Sequence, residues 1–166
     1  MSNTNPWAFD ESLQPRAEEL DFDLAKVLDA VVLLRAEIPD DAFTSSILGT
    51  ERVGYGVVIR DNGLVLTIGY LITEAENIWL TTNAGVVVAG HALAYDQASG
   101  FGLVQALGDL RAPMLERGSA AAVAPGDQVF VIGHGGRSHA LKAKVFAKRE
   151  FAGYWEYLID DALFTV

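Results

Sequence analysis

The chain has 166 residues, 51% of them hydrophobic and 20% charged, enough apolar material for a packed core in one domain or two small ones. Its 12 Lys and Arg face 22 Asp and Glu, a net charge of −10 that repels nucleic acid and anionic membranes. Cysteine is absent, which excludes a disulfide framework and thiol chemistry, and no apolar run approaches the ~20 residues of a spanning helix.

Residues 1–23 are polar and acidic, interrupted by Trp7, Phe9, Leu13 and Leu20. The plain expectation is a solvated acidic arm; the alternative is an arm whose aromatics dock on the body or on a neighbour. The N-terminus has neither a basic region nor an apolar stretch of the secretory kind, so a cytoplasmic location is the default expectation. From Asp21 to Ala30 the spacing of Leu24, Val27 and Leu28 predicts a short helix, with Asp21 or Asp23 as its cap. Val31 to Ile38 then has strand character and ends at Pro39. Asp40 to Glu51 reads as a polar loop.

Two apolar runs, Gly56 to Ile59 and Leu64 to Ile68, flank Asp61-Asn62-Gly63. Asn-Gly tolerates positive φ at both centres of a tight primed turn, so a β-hairpin is expected. Thr73 to Asn77 is a short turn. Further strands are expected at Ile78–Thr82, Val86–Tyr95 and Phe101–Leu107, with a turn at Asn83-Ala84-Gly85. Gly108 to Gln128, with Pro113 and Pro125, reads as a connector. Val129–Gly133, Ala140–Arg149 and Tyr154–Val166 supply three more strands. Short strands at regular spacing argue for an all-β barrel or sandwich.

The stretch Val53-Gly54-Tyr55-Gly56 through Thr67-Ile68-Gly69-Tyr70 resembles the first barrel of trypsin-like serine proteases, in their HtrA (Deg) branch. Gly126-Asp127-Gln128-Val129 and Ile132-Gly133 are similar to that family's second-barrel opening. The resemblance runs from about residue 24 to 166. It implies a trypsin-like double β-barrel with the first barrel complete, the second partial, and a short N-terminal helix. The expected division is an acidic arm at 1–23, a first barrel at 24–110, a connector at 111–128 and a partial second barrel at 129–166. Val57, Ile59, Val65, Leu80, Val88, Leu103 and Val104 are expected to pack the first barrel. The family also makes the periplasm the alternative location.

The family's catalysis needs a serine nucleophile, a histidine base and an orienting aspartate. Thr67 matches the threonine before the histidine, but Tyr70 stands at the histidine's position. A phenol with a pKa near ~10 is no ready base at pH 7, and Tyr70 reads as a packing residue. About thirty residues on, Gly100 replaces the aspartate, while Asp96 matches a turn aspartate. The nucleophile would belong to a Gly-Asn-Ser-Gly-like loop after Tyr157–Val166, and no Gly-x-Ser-Gly occurs. Ser119 lies in the connector. Ser138 and His139 are neighbours in sequence and on a strand would face opposite ways. His91 reads as a barrel-wall residue. Gly133-His134-Gly135-Gly136 lacks the Lys-Ser/Thr of a phosphate loop and reads as a turn. No zinc-ligand spacing and no cofactor motif are present.

The leading expectation is therefore a catalytically inactive pseudo-protease that binds peptide or partner protein. The alternatives are a serine endopeptidase completed by a further C-terminal part or another chain, and an assembly module using exposed strand edges. Residues 129–166 are expected to pair with a second copy, another subunit or a C-terminal remainder cut from the same precursor.

Overall fold

The structure, a computed structural model, describes residues 7–154 and 157–166. Residues 1–6 of the arm, and Trp155 and Glu156 of the last predicted strand, lie outside the described residues. Helix α1 (Leu24–Asp29) starts where Asp23 accepts a hydrogen bond from the Lys26 N–H, the cap expected of a short acidic side chain. It buries Leu24 and Leu28. A second short helix, α2 (Ser45–Leu48), stands in what the sequence suggested was plain loop.

Six strands close into a barrel: β1 (Val31–Glu37), β2 (Glu51–Val58), β3 (Leu64–Ile68), β4 (Asn77–Thr81), β5 (Val87–Asp96) and β6 (Phe101–Ala106), in the order β1-β2-β3-β6-β5-β4. Every pairing is antiparallel, with Leu34 opposite Gly54 and Leu80, and Val65 opposite Val104. Closure leaves no free edge. Val32, Leu34, Val65, Leu80 and Val104 are fully buried, each contributing roughly 1.5–3 kcal/mol by leaving water.

Val65, Leu80 and Val104 pack as expected, and Val88 lies half-buried against the same core. Val57, Ile59 and Leu103 do not point inward. Val58 and Val104 take the inward positions, and the two-residue period turns their neighbours to the outer, half-buried face. The hairpin turn also differs. Of its residues only Gly63 has positive φ, at 79°, and Gly63 N–H donates to Arg60 O. Asn62 stays at negative φ, so the connection is a longer loop with one left-handed glycine, not a two-residue primed turn.

The remaining strands, β7 (Gln128–Ile132), β8 (Ala140–Ala152) and β9 (Leu158–Thr165), form an open sheet in that order. The first residues of β8 pair with β7 and the later ones with β9. Helix α1 packs between the two bodies, where Leu24 and Leu28 meet Ala140. Residues 7–23 are not a solvated tail: they lie along the sheet, with Gln14 and Pro15 buried. Among the described residues no helix is long and apolar enough to cross a membrane.

Candidate functional site

After β3 the chain tightens into a single 3-10 turn, Gly69–Leu71, which carries Tyr70. Thr67, just before it, is buried and its hydroxyl donates to Tyr55 O at 2.8 Å. The Gly69 N–H donates to Gly100 O at 2.7 Å, so the turn holding Tyr70 and the turn holding Gly100 meet in space. Gly100 closes the β5–β6 turn with φ 76°, a left-handed conformation that favours glycine. Asp96 works in the same turn: it accepts from the Ala98 N–H and from the Ser99 hydroxyl, and the latter bond holds its carboxyl below the usual range.

Gly100 faces a ring, not a cavity. A Cβ placed there would stand 2.7 Å from Tyr157 Cγ, and the same ring lies against Gly153. The Leu158 N–H donates to Ala98 O at 2.9 Å, which ties the start of β9 to this turn. A second ring, Tyr95, packs flat space at Gly69 in the same manner. Glycine at 69, 100 and 153 thus makes room for two aromatic rings. The sequence signal was three glycines and two tyrosines, but which ring meets which glycine is a long-range fact.

Tyr70 is half-buried against the barrel core. Its ring borders a cavity of about 560 Å³ shared with Phe43, Ile47, Leu48, Tyr95 and Tyr154. The wall is held by a buried cation. Arg52, 4% exposed, donates from Nη1 to Tyr70 O (2.6 Å) and Thr73 O (3.0 Å), and from Nη2 to Thr44 Oγ1 (2.7 Å). Glu74, at φ 60°, accepts from the Phe43 N–H (2.9 Å), the Thr44 N–H (2.7 Å) and the Thr44 hydroxyl. The Thr44 hydroxyl bond, then the backbone bonds, hold the Glu74 carboxyl below its ordinary value. Burial draws the Arg52 pKa down, opposed by the charge of Glu74. Neither residue was singled out from the sequence. The available signal was Arg52 itself, a charge at an inward position of an alternating strand.

Ser138 and His139 depart from expectation. Gly135 (φ 123°) and Gly136 (φ 74°) bend the chain into a 3-10 turn, Gly136–His139, so the two side chains do not fall on opposite strand faces. Ser138 Oγ lies 3.0 Å from His139 Nδ1. The same nitrogen is 3.2 Å from Gly135 O, so Ser138 and His139 both face that carbonyl. His134 borders a different cavity, and its Nε2 is buried without a hydrogen-bond partner. His91 is exposed on the outer face of β5, opposite Gln105. Among the described residues no group of three His, Asp or Glu could hold a metal ion.

A family model described as a trypsin-like peptidase domain matches residues 54–165. A structure of the HtrA-type protease AlgW in a serine-to-alanine form with a tripeptide superposes with a TM-score of 0.69, at 15% identity over 84% of this chain and 43% of its own. The same protease with a decapeptide gives 0.66, at 17% identity over 84% of this chain and 48% of its own. An inactive form of the Rv3671c protease gives 0.62, at 19% identity over 82% of this chain and 64% of its own. At such identities the likeness establishes the fold. The chain spans less than half of the AlgW chains. No curated protein sequence matches it.

Proposed function

Because the chain belongs to the trypsin-like peptidase domain family, we propose that it is a degenerate member, a pseudo-protease that binds peptide or a partner protein without cleaving it. The carrying observation is the Tyr157 ring packed against Gly100, in the space an orienting carboxylate would need. Tyr70 and Gly100 are taken as the occupants of the family's histidine and aspartate positions. Their turns meet through the Gly69–Gly100 hydrogen bond, which supports that assignment. A phenol and a glycine supply neither base nor orienting charge, and triad members act as a unit. The binding surface of this reading is the aromatic cavity beside Tyr70. Its apolar walls and few polar groups suit a peptide side chain. The peptides bound in the AlgW structures lend the binding half of the proposal support by analogy.

The test has two arms. A fluorophosphonate probe should leave the protein unlabelled, while an immobilised peptide library should retain it, and Tyr70→Ala should weaken that retention. Labelling of Ser119 or Ser138, or hydrolysis that survives repurification, would instead favour an endopeptidase completed by further residues or another chain.

Assembly through residues 129–166 is a second reading, favoured by the open sheet. Its edges β7 and β9 have no further strand partner among the described residues, and Phe146, Phe151, Leu158 and Leu163 are exposed. Sedimentation at micromolar concentration decides it: a monomer throughout removes this reading.

A further inference from the structure

Residues 7–23 form an acidic strap over the seam between barrel and sheet. The Phe9 N–H donates to Ser138 O at 2.9 Å, and the Gln14 side-chain amide donates to Phe9 O at 2.8 Å. Arg137 Nε donates to Pro15 O at 2.9 Å, and its Nη2 lies 3.8 Å from Glu11. Lys142 pairs with Glu19, and Phe22 meets Phe130 edge-on with ring centres 6.0 Å apart. The charges are sorted by sign. The strap carries Asp10, Glu11, Glu18, Glu19, Asp21 and Asp23, and the body meets it with Arg137 and Lys142.

The strap fits this seam incompletely. Between it and the body remains a cavity of about 560 Å³, lined by Leu33 and Tyr55 of the barrel, Val131 to His134 of the sheet, and Trp7 and Phe9 of the strap. Trp7 is 80% exposed, and within residues 7–23 only Gln14 and Pro15 are buried, with Leu20 half-buried against the Leu24, Leu28 and Ala140 cluster. A segment held by so few buried groups opens at low cost. Its polar anchors are the Ser138 carbonyl and two cations, Arg137 and Lys142, which read an extended backbone and carboxylates, and its apolar ones are Leu20 and Phe22.

We propose that the seam is a recognition site for an extended acidic peptide segment bearing aromatic residues, which the chain's own strap occupies in cis and a partner protein takes by displacing it. The site is distinct from the Tyr70 cavity and goes beyond the reading given above. It would stand or fall whether or not the chain cleaves peptides. The partner's aromatic side chain enters the cavity that Trp7 and Phe9 leave open, and its carboxylates take over Arg137 and Lys142. The strap, tethered to the site, competes at an effective concentration on the order of millimolar, so the free site is a minor population and partner affinity is reduced by that fraction.

The test uses the full chain and a fluorescein-labelled peptide copying residues 5–22, read by anisotropy. Wild type should bind it weakly. Glu11→Gln with Glu19→Gln weakens the strap and should tighten peptide binding by about threefold or more, and added salt should reduce it. Putting Arg137→Glu and Lys142→Glu into that variant should abolish binding of the wild-type peptide. A peptide with both glutamates changed to lysine should then bind, a rescue that a misfolded protein would not give. Equal affinity in wild type and the strap variant, or failure of the charge-inverted peptide, overturns the proposal. So does a wild-type chain that dimerises by exchanging straps while ignoring the free peptide.

Discussion

The closed barrel and the open sheet are built from strands of similar apolar content, yet they bury it very differently. In the barrel, side chains from six strands converge, and Val32, Leu34, Val65, Leu80 and Val104 lose all contact with water. In the sheet, Ala140, Ala143 and Val145 are buried, while Phe146, Phe151, Leu158 and Leu163 stay exposed. Strand composition alone does not make a core; closure does, because it gives every inward side chain opposing neighbours and every backbone group a partner. At Ala140 and Ile132 the sheet is covered by α1 and by Leu20 of the strap.

The largest effect should separate the two regions directly. Leu80→Ala removes a fully buried barrel side chain and should cost about 2–5 kcal/mol in urea unfolding. Leu163→Ala, on an exposed position of β9, should stay within about 0.5 kcal/mol. Similar losses at both sites would mean that the sheet is covered in solution.

Gly100→Asp sits where the two regions touch. It forces an L-residue into φ 76° and against Tyr157, and should destabilise by about 2 kcal/mol or more without giving activity. Combining it with Tyr157→Ala should recover part of the loss. A strictly additive pair would argue that the ring does not fill that space.

Asn83 pins barrel to sheet more lightly. Its Nδ2 donates to Leu28 O at 2.9 Å, and its Oδ1 accepts from the Gly135 N–H at 2.8 Å. Asn83→Ala should cost roughly 1–2 kcal/mol and speed amide exchange at Gly135. Unchanged exchange there would show that the Asn83 bond does not hold the Gly135 turn to the barrel.

The smallest effect is a local one within the barrel. The folded-state pKa of Glu74 is lowered, so its contribution is complete above the ordinary carboxylate value and is lost as pH falls through the folded one. Acidification from about pH 6 to about 2 should shift the Phe43 and Thr44 amide resonances before the barrel unfolds. In Glu74→Gln that early shift should disappear. If it persists, another group anchors the 43–48 loop.

Much of this fold is local and therefore legible in the chain. The cap at Asp23 and the break at Pro39 are properties of short stretches, set by side-chain and backbone sterics within a few residues. Strand positions follow from apolar alternation, although the pairs Val57/Val58 and Leu103/Val104 offered two apolar residues where one could face inward. Pairing partners from other strands decided which. The short helix at Ser45–Leu48 was missed because it is a single turn with no buried residue, too short to show a buried stripe.

Tyr70 and Gly100 were singled out through the resemblance and its spacing, and the structure brings their turns together through the Gly69–Gly100 hydrogen bond. Other features depend on groups far apart in sequence. Tyr157 reaches Gly100, Arg137 and Lys142 meet an arm more than a hundred residues earlier, and Arg52 meets Tyr70, Thr73 and Thr44 at once. The chain by itself determined the strands, the turns and which side chains are present to act. Tertiary structure decided which rings fill which glycines and which charges meet, because those energies exist only once the barrel has closed and brought distant residues within a few ångströms.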